Sequence, residues 1–528
     1  MIFRGPYPDV SIPEVSLTDF IFGSTAEFKD KPALIDGPTG QTFTYAEFEQ
    51  AVRRVAASLA QRGFKQGDVF GIFSTNCPEY GIIFHAVAML GGINTTLNPL
   101  YTAEEAAFQL KDAKARFLVT APYFIDKARA AATRANIEEL FVFGEADQAT
   151  PFASLLNSDG PIPQVRINPK ADLVALPYSS GTTGLPKGVM LTHYNLVANM
   201  RQMDGLEYFH RNDTLLCVLP LFHIYGLVVV LNMGLHMGAT IVTMPRFDLE
   251  QFLQFIEKYR VTLSHIVPPL VLKLAKDPIV DNYDLSSLRM IFSGAAPLSA
   301  ELSDQCMVRI GCGIRQGYGM TETSPVTHSS PADPVKMKPG SVGPPAPNTE
   351  CKLVDPGTGE ELIANQRGEV CVRGPQIMKG YLNNPEATAR TIDSDNWLHT
   401  GDIGYADDDG DFFIVDRVKE LIKYKGFQVA PAELEAVLLT HPAVADAAVI
   451  PCPDDEAGEV PKAFVVLKDK ASAEELISFV ATRTAPHKKI RFLEFIEQIP
   501  RSLAGKILRR VLVEKERAKY TTPSGLSR

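Results

Sequence analysis

The residues best suited to chemistry begin at Ser179. Ser179, Ser180, Gly181, Thr182, Thr183, Gly184, Leu185, Pro186, Lys187 and Gly188 follow one another without a break. Glycine lets a backbone approach a ligand closely. Successive N–H groups then form an anion-binding concavity. The hydroxyls add donors and Lys187 adds a mobile positive charge, which together is what a polyphosphate needs. The Walker A loop places Ser or Thr directly after its lysine. Here Lys187 stands between Pro186 and Gly188, so this is a phosphate loop of another kind. A flexible linker has similar composition. A linker, however, does not carry the apolar run Leu173 to Tyr178 on one side and Val189-Met190-Leu191-Thr192-His193 on the other.

Further constellations follow. Gln316-Gly317-Tyr318-Gly319-Met320-Thr321-Glu322 could set an aromatic face beside a purine and a carboxylate beside phosphates. The same residues suit an ordinary turn with a helix cap at Thr321. Gly294-Ala295-Ala296-Pro297 is small enough for a flat base to lie on its backbone, and it also suits a strand-to-helix turn. Asp402, in Trp397-Leu398-His399-Thr400-Gly401-Asp402, could accept from two hydroxyls at once. Gly-Asp is also a common turn. His223, in Pro220-Leu221-Phe222-His223-Ile224-Tyr225-Gly226, is by itself equally a packed core histidine. Lys506 and the basic segment Lys419 to Gln428 are by themselves equally solvated surface.

Elements that alternate between helix and strand must position these groups. Thr44 and Glu47 form a capping box before Phe48, Val52, Val55 and Leu59, which recur at helical spacing. Strands are expected at Val69 to Phe73, Ile93 to Leu97, Phe117 to Thr120, Thr214 to Leu219, Thr240 to Met244 and Met290 to Ser293. Helices are expected at Glu79 to Leu90, Val228 to Met237 and Leu249 to Tyr259. That alternation argues for α/β sheets covered by helices. A stretch rich in Pro, Gly and Ser between Pro325 and Pro347 precedes a small distorted β subdomain, with strands at Glu350 to Val354, Glu369 to Arg373 and Phe412 to Val415. The pattern restarts after Asp416-Arg417-Val418-Lys419 with its own helices and strands. We therefore expect a large α/β domain over 1–415 and a small α+β domain over 416–528, since 528 residues exceed one core.

Composition narrows the class. Net charge is −10, without the basic stripe of a nucleic-acid binder. No apolar run is long enough for a membrane span. Seven scattered cysteines without a Cys-x-x-Cys pair fit a reducing cytoplasm. The N-terminus lacks the pattern of a signal peptide, and Gly525-Leu526-Ser527-Arg528 is not a peroxisomal address.

The Ser179–Gly188 segment resembles the signature of the adenylate-forming superfamily of acyl-CoA synthetases, nonribosomal adenylation domains and beetle luciferases. Five separated motifs agree in order, from about Leu34 to Ile507, most similarly to the 4-coumarate–CoA ligase subgroup. Tyr424 to Leu434 and Asp284 to Met290 are particularly close to that subgroup. The resemblance implies an ATP- and Mg²⁺-dependent acid–CoA ligase, with an acyl-adenylate formed first and the CoA thioester second. It implies that Ser179, Ser180, Gly181, Thr182, Thr183, Gly184 and Lys187 hold phosphates, with Thr321 and Glu322 at phosphate and Mg²⁺. It places Ala295, Gln316, Gly317 and Tyr318 at adenine, and Asp402 and Arg417 at ribose. Lys506 becomes the adenylation lysine and Lys419, within 416–419, the hinge of a mobile C-terminal domain. Lys423 and Gln428 would contact AMP, and Lys425, Gly426 and Arg246 would meet CoA. His223, Tyr225 and Val229 would line the acyl pocket, with Ser329 near its floor.

The partner implied is a small carboxylic acid, taken up by a monomer or homodimer. Plant hydroxycinnamate ligases tend to carry a polar residue where Val229 stands, so a less hydroxylated cinnamate or an aliphatic acid fits this position. A medium- or long-chain fatty acyl-CoA synthetase would share every ATP motif. A luciferase-type monooxygenase would share them too, as would an adenylation enzyme that loads a carrier protein.

Overall fold

The computed structural model describes residues 1–23, 25–179, 186–425, 427–454, 456–502 and 505–521, with the backbone alone at 334, 427, 428 and 517–521. Four sheets carry the fold among these residues. In the first, Val69–Phe73 runs parallel between Ile93–Thr96 and Ala115–Thr120. In the second, Thr240–Thr243, Thr214–Cys217, Leu263–Ile266, Met290–Ser293 and Gly313–Gly319 lie side by side and parallel. Val69–Phe73 is buried throughout, as a central parallel strand covered on both faces must be.

Helix Tyr45–Gln61 shows how the local sequence sets an element. Thr44 and Glu47 cap it reciprocally, and Phe48, Val52, Val55 and Leu59 are each 0% exposed on the face it buries. Burying each such side chain is worth about 1.5–3 kcal/mol. Removing the Thr44 hydroxyl would cost about 1 kcal/mol.

A third, antiparallel sheet joins Phe3–Arg4, Glu350–Val354, Gly368–Arg373, Leu398–Ala406 and Phe412–Arg417, with register shifts at Glu369/Cys371 and Ile403/Gly404. This is the distorted β subdomain. Its last strand runs on through Arg417, so the sheet continues two residues past the boundary expected at 415/416. The fourth sheet contains Val444–Asp454 and Gly458–Leu467 and packs against helices Pro431–Leu439 and Ala473–Ala481. Its core is its own, including Ile422, Leu434, Leu438, Val449, Val465 and Leu476. A large N-terminal α/β domain and a small C-terminal domain result.

Two elements differ from expectation near the site. The run expected as an α-helix at Val228 to Met237 is a π-helical stretch, Tyr225–Asn232, continued by the short α-helix Met233–His236. The Asn232 amide donates to the Leu227 carbonyl at 2.7 Å, and a Cβ on Gly226 would sit 2.4 Å from the Pro220 carbonyl oxygen. The chain is therefore tight against its own lead-in, and π-turns of this sort gather at functional sites. The expected strand at Leu173 to Tyr178 splits into Leu173–Ala175 and Tyr178–Ser179, with Pro177 between them lacking a donor for the ladder.

Candidate active site

The ends of the Ser179–Gly188 segment meet two other chain segments, around Glu322 and Tyr381. Ser179 pairs antiparallel with Lys187, and residues 180–185, among them Ser180, Gly181, Thr182, Thr183 and Gly184, lie outside the described residues. Ser179 Oγ donates to Glu322 Oε1 at 3.0 Å, and Tyr381 Oη donates to the same oxygen at 2.8 Å. Lys187 Nζ lies 4.7 Å from the Tyr381 ring centroid. Glu322 is buried within the single 3₁₀ turn Thr321–Thr323. Carboxylate and hydroxyl oxygens beside an ammonium form a hard, oxygen-only donor set, which suits Mg²⁺ with phosphate. Sequence reasoning missed Tyr381, which lies in Gly380–Tyr381, a two-residue strand paired to Val189 and Met190.

A cleft of about 440 Å³ lies between the two domains, lined among others by Ala295, Gln316, Tyr318, Asp402, Arg417 and Lys506. Ala295 holds φ +70°, a left-handed conformation that few residues with a Cβ adopt. Gly294 cannot be larger, because a Cβ there would sit 2.9 Å from the Tyr225 ring. A Cβ on Gly317 would likewise meet the Phe292 ring at 2.8 Å. Gln316 is buried, and its Oε1 accepts from the Leu298 N–H at 3.3 Å.

Asp402 and Arg417 are cross-strand partners, with Arg417 Nε 3.3 Å from Asp402 Oδ1. Tyr318 Oη donates to the other carboxylate oxygen, Oδ2, at 2.6 Å. Glu369 fixes the turn before Asp402, its Oε1 accepting from the Gly401 N–H at 2.9 Å. Glu369 Oε2 lies 3.0 Å from His399 Nδ1, and His399 Nε2 lies 3.5 Å from Asp393 Oδ2. Cys371 first and then Glu369 push the His399 imidazolium up to about 10, against the opposing effect of burial.

Lys506 enters the cleft from the C-terminal domain. Its loop is tied by Lys506 N–H donating to Ser502 Oγ at 3.2 Å and by the Arg501–Asp446 ion pair at 2.7 Å. Gly505, at φ +76°, presses on the large domain so closely that a Cβ would lie 2.8 Å from Val267 Cγ2. Burial, then the Arg417 charge, lower the Lys506 ammonium to about 8, partly countered by Asp402. His223 is held down to about 4 by burial and by the Lys506 charge. Its Nδ1 accepts from the Tyr225 N–H at 3.3 Å, which leaves the proton of the neutral ring on Nε2.

The remaining expected residues fall elsewhere. Tyr225 and Val229 lie four positions apart in the π-helical stretch. Ser329 pairs with Gly317, but its hydroxyl donates to the Ser330 carbonyl at 3.3 Å. Lys419 is exposed in the turn after Arg417. Lys423 and Lys425 are exposed and do not line the cleft, and Lys425 pairs with Glu456. Gln428 pairs through its backbone with Lys423, while Gly426 lies outside the described residues. Arg246 is exposed after Thr240–Thr243. The domains thus stand with Lys506, rather than Lys423, turned into the cleft.

A cleft between a large α/β domain and a small cap, with a lysine delivered by the cap, defines a known class. Residues 22–382 match the AMP-binding enzyme family and 433–506 match the AMP-binding enzyme C-terminal domain, so the chain belongs to this family, and its likeness to curated 4-coumarate–CoA ligases makes it an AMP-forming acid–CoA ligase. It is 48% identical over 524 residues to 4-coumarate–CoA ligase 1 of Petroselinum crispum, covering 97% of this chain and 96% of that one. It is 48% identical over 539 residues to 4-coumarate–CoA ligase of Pinus taeda, covering 98% of each. Among solved structures it resembles the ATP-bound MatB of Rhodopseudomonas palustris, with TM-score 0.87, 29% identity and coverage of 96% and 100%. The anthranilate CoA ligase AuaEII with anthranoyl-AMP gives TM-score 0.88, 26% identity and coverage of 97% and 99%.

Proposed function

We propose that this ligase acts on 4-coumarate or a related cinnamic acid. Supporting this reading is the likeness to 4-coumarate–CoA ligases over nearly the whole chain. The observation that carries the chemistry is Lys506 brought by one domain against Asp402 and Arg417 of the other. In the first half-reaction a carboxylate oxygen bonds to the α-phosphorus of ATP and pyrophosphate leaves. Lys506 and Lys187 offset the charge that gathers there. Asp402 and Arg417 hold the ribose, Ala295, Gln316, Gly317 and Tyr318 the adenine, and Thr321 and Glu322 the phosphates. Mg²⁺, held at Glu322, would neutralise phosphate oxygens. In the second half-reaction the CoA sulfur bonds to the carbonyl carbon, AMP leaves and the thiol proton passes to solvent. The C-terminal domain turns about Lys419 between the two, exchanging Lys506 for Lys423, Lys425 and Gln428, while Arg246 meets CoA. His223, Tyr225 and Val229 face the acyl group.

The seven cysteines are all free and six are buried, which supports residence in the cytoplasm. Among the described residues no helix is long and apolar enough to cross a membrane. We place the enzyme there as a monomer or homodimer. The test is thioester formation with ATP, Mg²⁺ and CoA on 4-coumarate, cinnamate, benzoate, octanoate and palmitate. Thioester from the cinnamates is the expected result. Thioester mainly from octanoate or palmitate sinks the substrate assignment and leaves the ligase standing.

A further inference from the structure

A buried arginine sits three residues beyond Lys506. Arg509 opens the helix Arg509–Thr521, and its side chain is 12% exposed. Every nitrogen of its guanidinium donates. Nε bonds to the Val449 carbonyl at 3.2 Å, and Nη2 bonds to both oxygens of Glu435 at 2.8 and 2.7 Å. Nη1 bonds to Glu420 Oε2. Glu435, on helix Pro431–Leu439, is itself seated by the Val449 N–H, which donates to its Oε1 at 2.7 Å. A third carboxylate, Asp416, acts on the same cation, and its oxygens accept from the Arg417 N–H at 2.7 Å and the Ala432 N–H at 3.0 Å. Burial opposes the charge of Arg509, and Glu435, Asp416 and Glu420 more than restore it. Arg509, Glu420, Glu435 and Lys506 all line the cleft between the domains.

Glu435 and Val449 anchor the start of this helix inside the small domain. The bond to Glu420 reaches elsewhere. Glu420 follows Lys419, and its N–H donates to the Arg417 carbonyl at 3.0 Å, closing the turn after the last strand of the large domain. Glu420 and Arg509 are 89 residues apart, so the bond joins that turn directly to the segment carrying Lys506. We propose that Arg509 is a positioning residue for adenylation: its fork ties the turn at the hinge to the Lys506 segment, so that the two move as one body. A guanidinium suits this because its rigid fork holds carboxylates in set directions, which an ammonium on a flexible stem does not. The face expected to serve thioester formation, Lys423 to Gln428, follows the hinge by a few residues and needs no such tie. This assignment rests on reading Lys506 as the adenylation lysine and 416–419 as the hinge.

The experiment measures pyrophosphate exchange and thioester formation from supplied acyl-adenylate separately. It uses whichever of 4-coumarate, cinnamate, benzoate, octanoate and palmitate the wild type turns over fastest. Arg509→Lys keeps the charge and loses the fork. It is expected to slow exchange by about tenfold or more and thioester formation by less than about threefold. The charged groups that act on Lys506 are Arg417, Asp402, Glu420 and Arg509, and burial adds to them. A Lys506 released from this setting regains water, so the fall of exchange with pH should move up from about 8 in Arg509→Lys. A merely weakened fold would not move it. Glu420→Gln leaves the Arg509–Glu435 anchor whole and tests the same bond. It should slow exchange by about threefold to tenfold and spare thioester formation. Equal slowing of both half-reactions by both variants overturns the proposal and leaves Arg509 an anchor of the fold. Exchange unchanged in both variants also overturns it. Lys506→Ala runs beside them, and exchange unaffected by that change is a failure of the lysine reading, with which the proposal falls.

Discussion

Tyr318 and Asp402, 84 residues apart, meet through a 2.6 Å hydrogen bond from phenol to carboxylate. Residues expected to act separately, one on a base and one on a sugar, form one unit, completed by Arg417 on the neighbouring strand. The unit fixes the carboxylate before any ligand arrives, so binding need not order it. Tyr318→Phe is expected to raise KM for ATP by about threefold to tenfold, the worth of one such bond. On the proposed ribose role, whose contacts would be alike in ground and transition states, kcat should hold. Steady-state kinetics at saturating acid and CoA check this, and an unchanged KM would remove the bond from nucleotide binding.

Lys506→Ala is expected to slow adenylation by about 10²–10³-fold. The loss should be much smaller for thioester formation from supplied acyl-adenylate, since the proposed domain turn brings the Lys423–Gln428 face to that step. Pulse experiments on the two half-reactions separate them, and equal losses would contradict the division of labour.

In the proposed mechanism adenylation uses the Lys506 ammonium, whose pKa is lowered to about 8. Its rate is therefore expected to fall as pH rises through about 8, rather than through the 10.5 of an ordinary lysine. Lys506→Arg, charged throughout this range, should lose that limb of the profile. A pyrophosphate-exchange profile from pH 6 to 10 reads both.

His399 carries a proton to about pH 10 in the folded chain, against 6.5 unperturbed. A raised folded pKa adds stability that is complete below 6.5 and disappears as pH climbs through about 10. Glu369→Gln weakens this pairing and the grip on Gly401. The Tm gap between wild type and variant should be widest near pH 6 and close toward pH 10. A gap that does not vary with pH would mean that the imidazolium adds nothing.

Arg367 of the large domain meets Glu433 of the small one at 2.9 Å, and Lys276 Nζ donates to the Leu439 carbonyl at 3.3 Å. These contacts belong to the domain pose with Lys506 inward. Partly exposed pairs are worth about 0–1 kcal/mol, so Arg367→Ala should slow pyrophosphate exchange by less than about fivefold. Thioester formation from supplied acyl-adenylate should hold or rise. Equal slowing of both would make the pair a stabiliser of the whole fold.

Much of this was legible in the residues. Leu249–Tyr259 and Met290–Ser293 form where periodicity and turn chemistry place them. Helix His193–Asp204 escaped because buried Asn195, Asn199 and Gln202 interrupt its apolar stripe. Their amides are satisfied by distant partners, such as the Pro375, Val326 and Pro347 carbonyls. The π-helical stretch escaped because an apolar run has the same composition whichever helix it takes. In the candidate site, short motifs pointed to Glu322, Asp402 and Lys506. Tyr381 and Glu369 carry no local signature. Each gains meaning from a neighbour that folding brings near, at Glu322 and Gly401 respectively.

The contact of Gly505 with Val267 seats the loop that carries Lys506 on the large domain. Lys506 itself is half-buried and lines the cleft between the domains. Under the proposed hinge motion, a ligand that holds the domains together would change the rate at which that amine is labelled without touching the lysine.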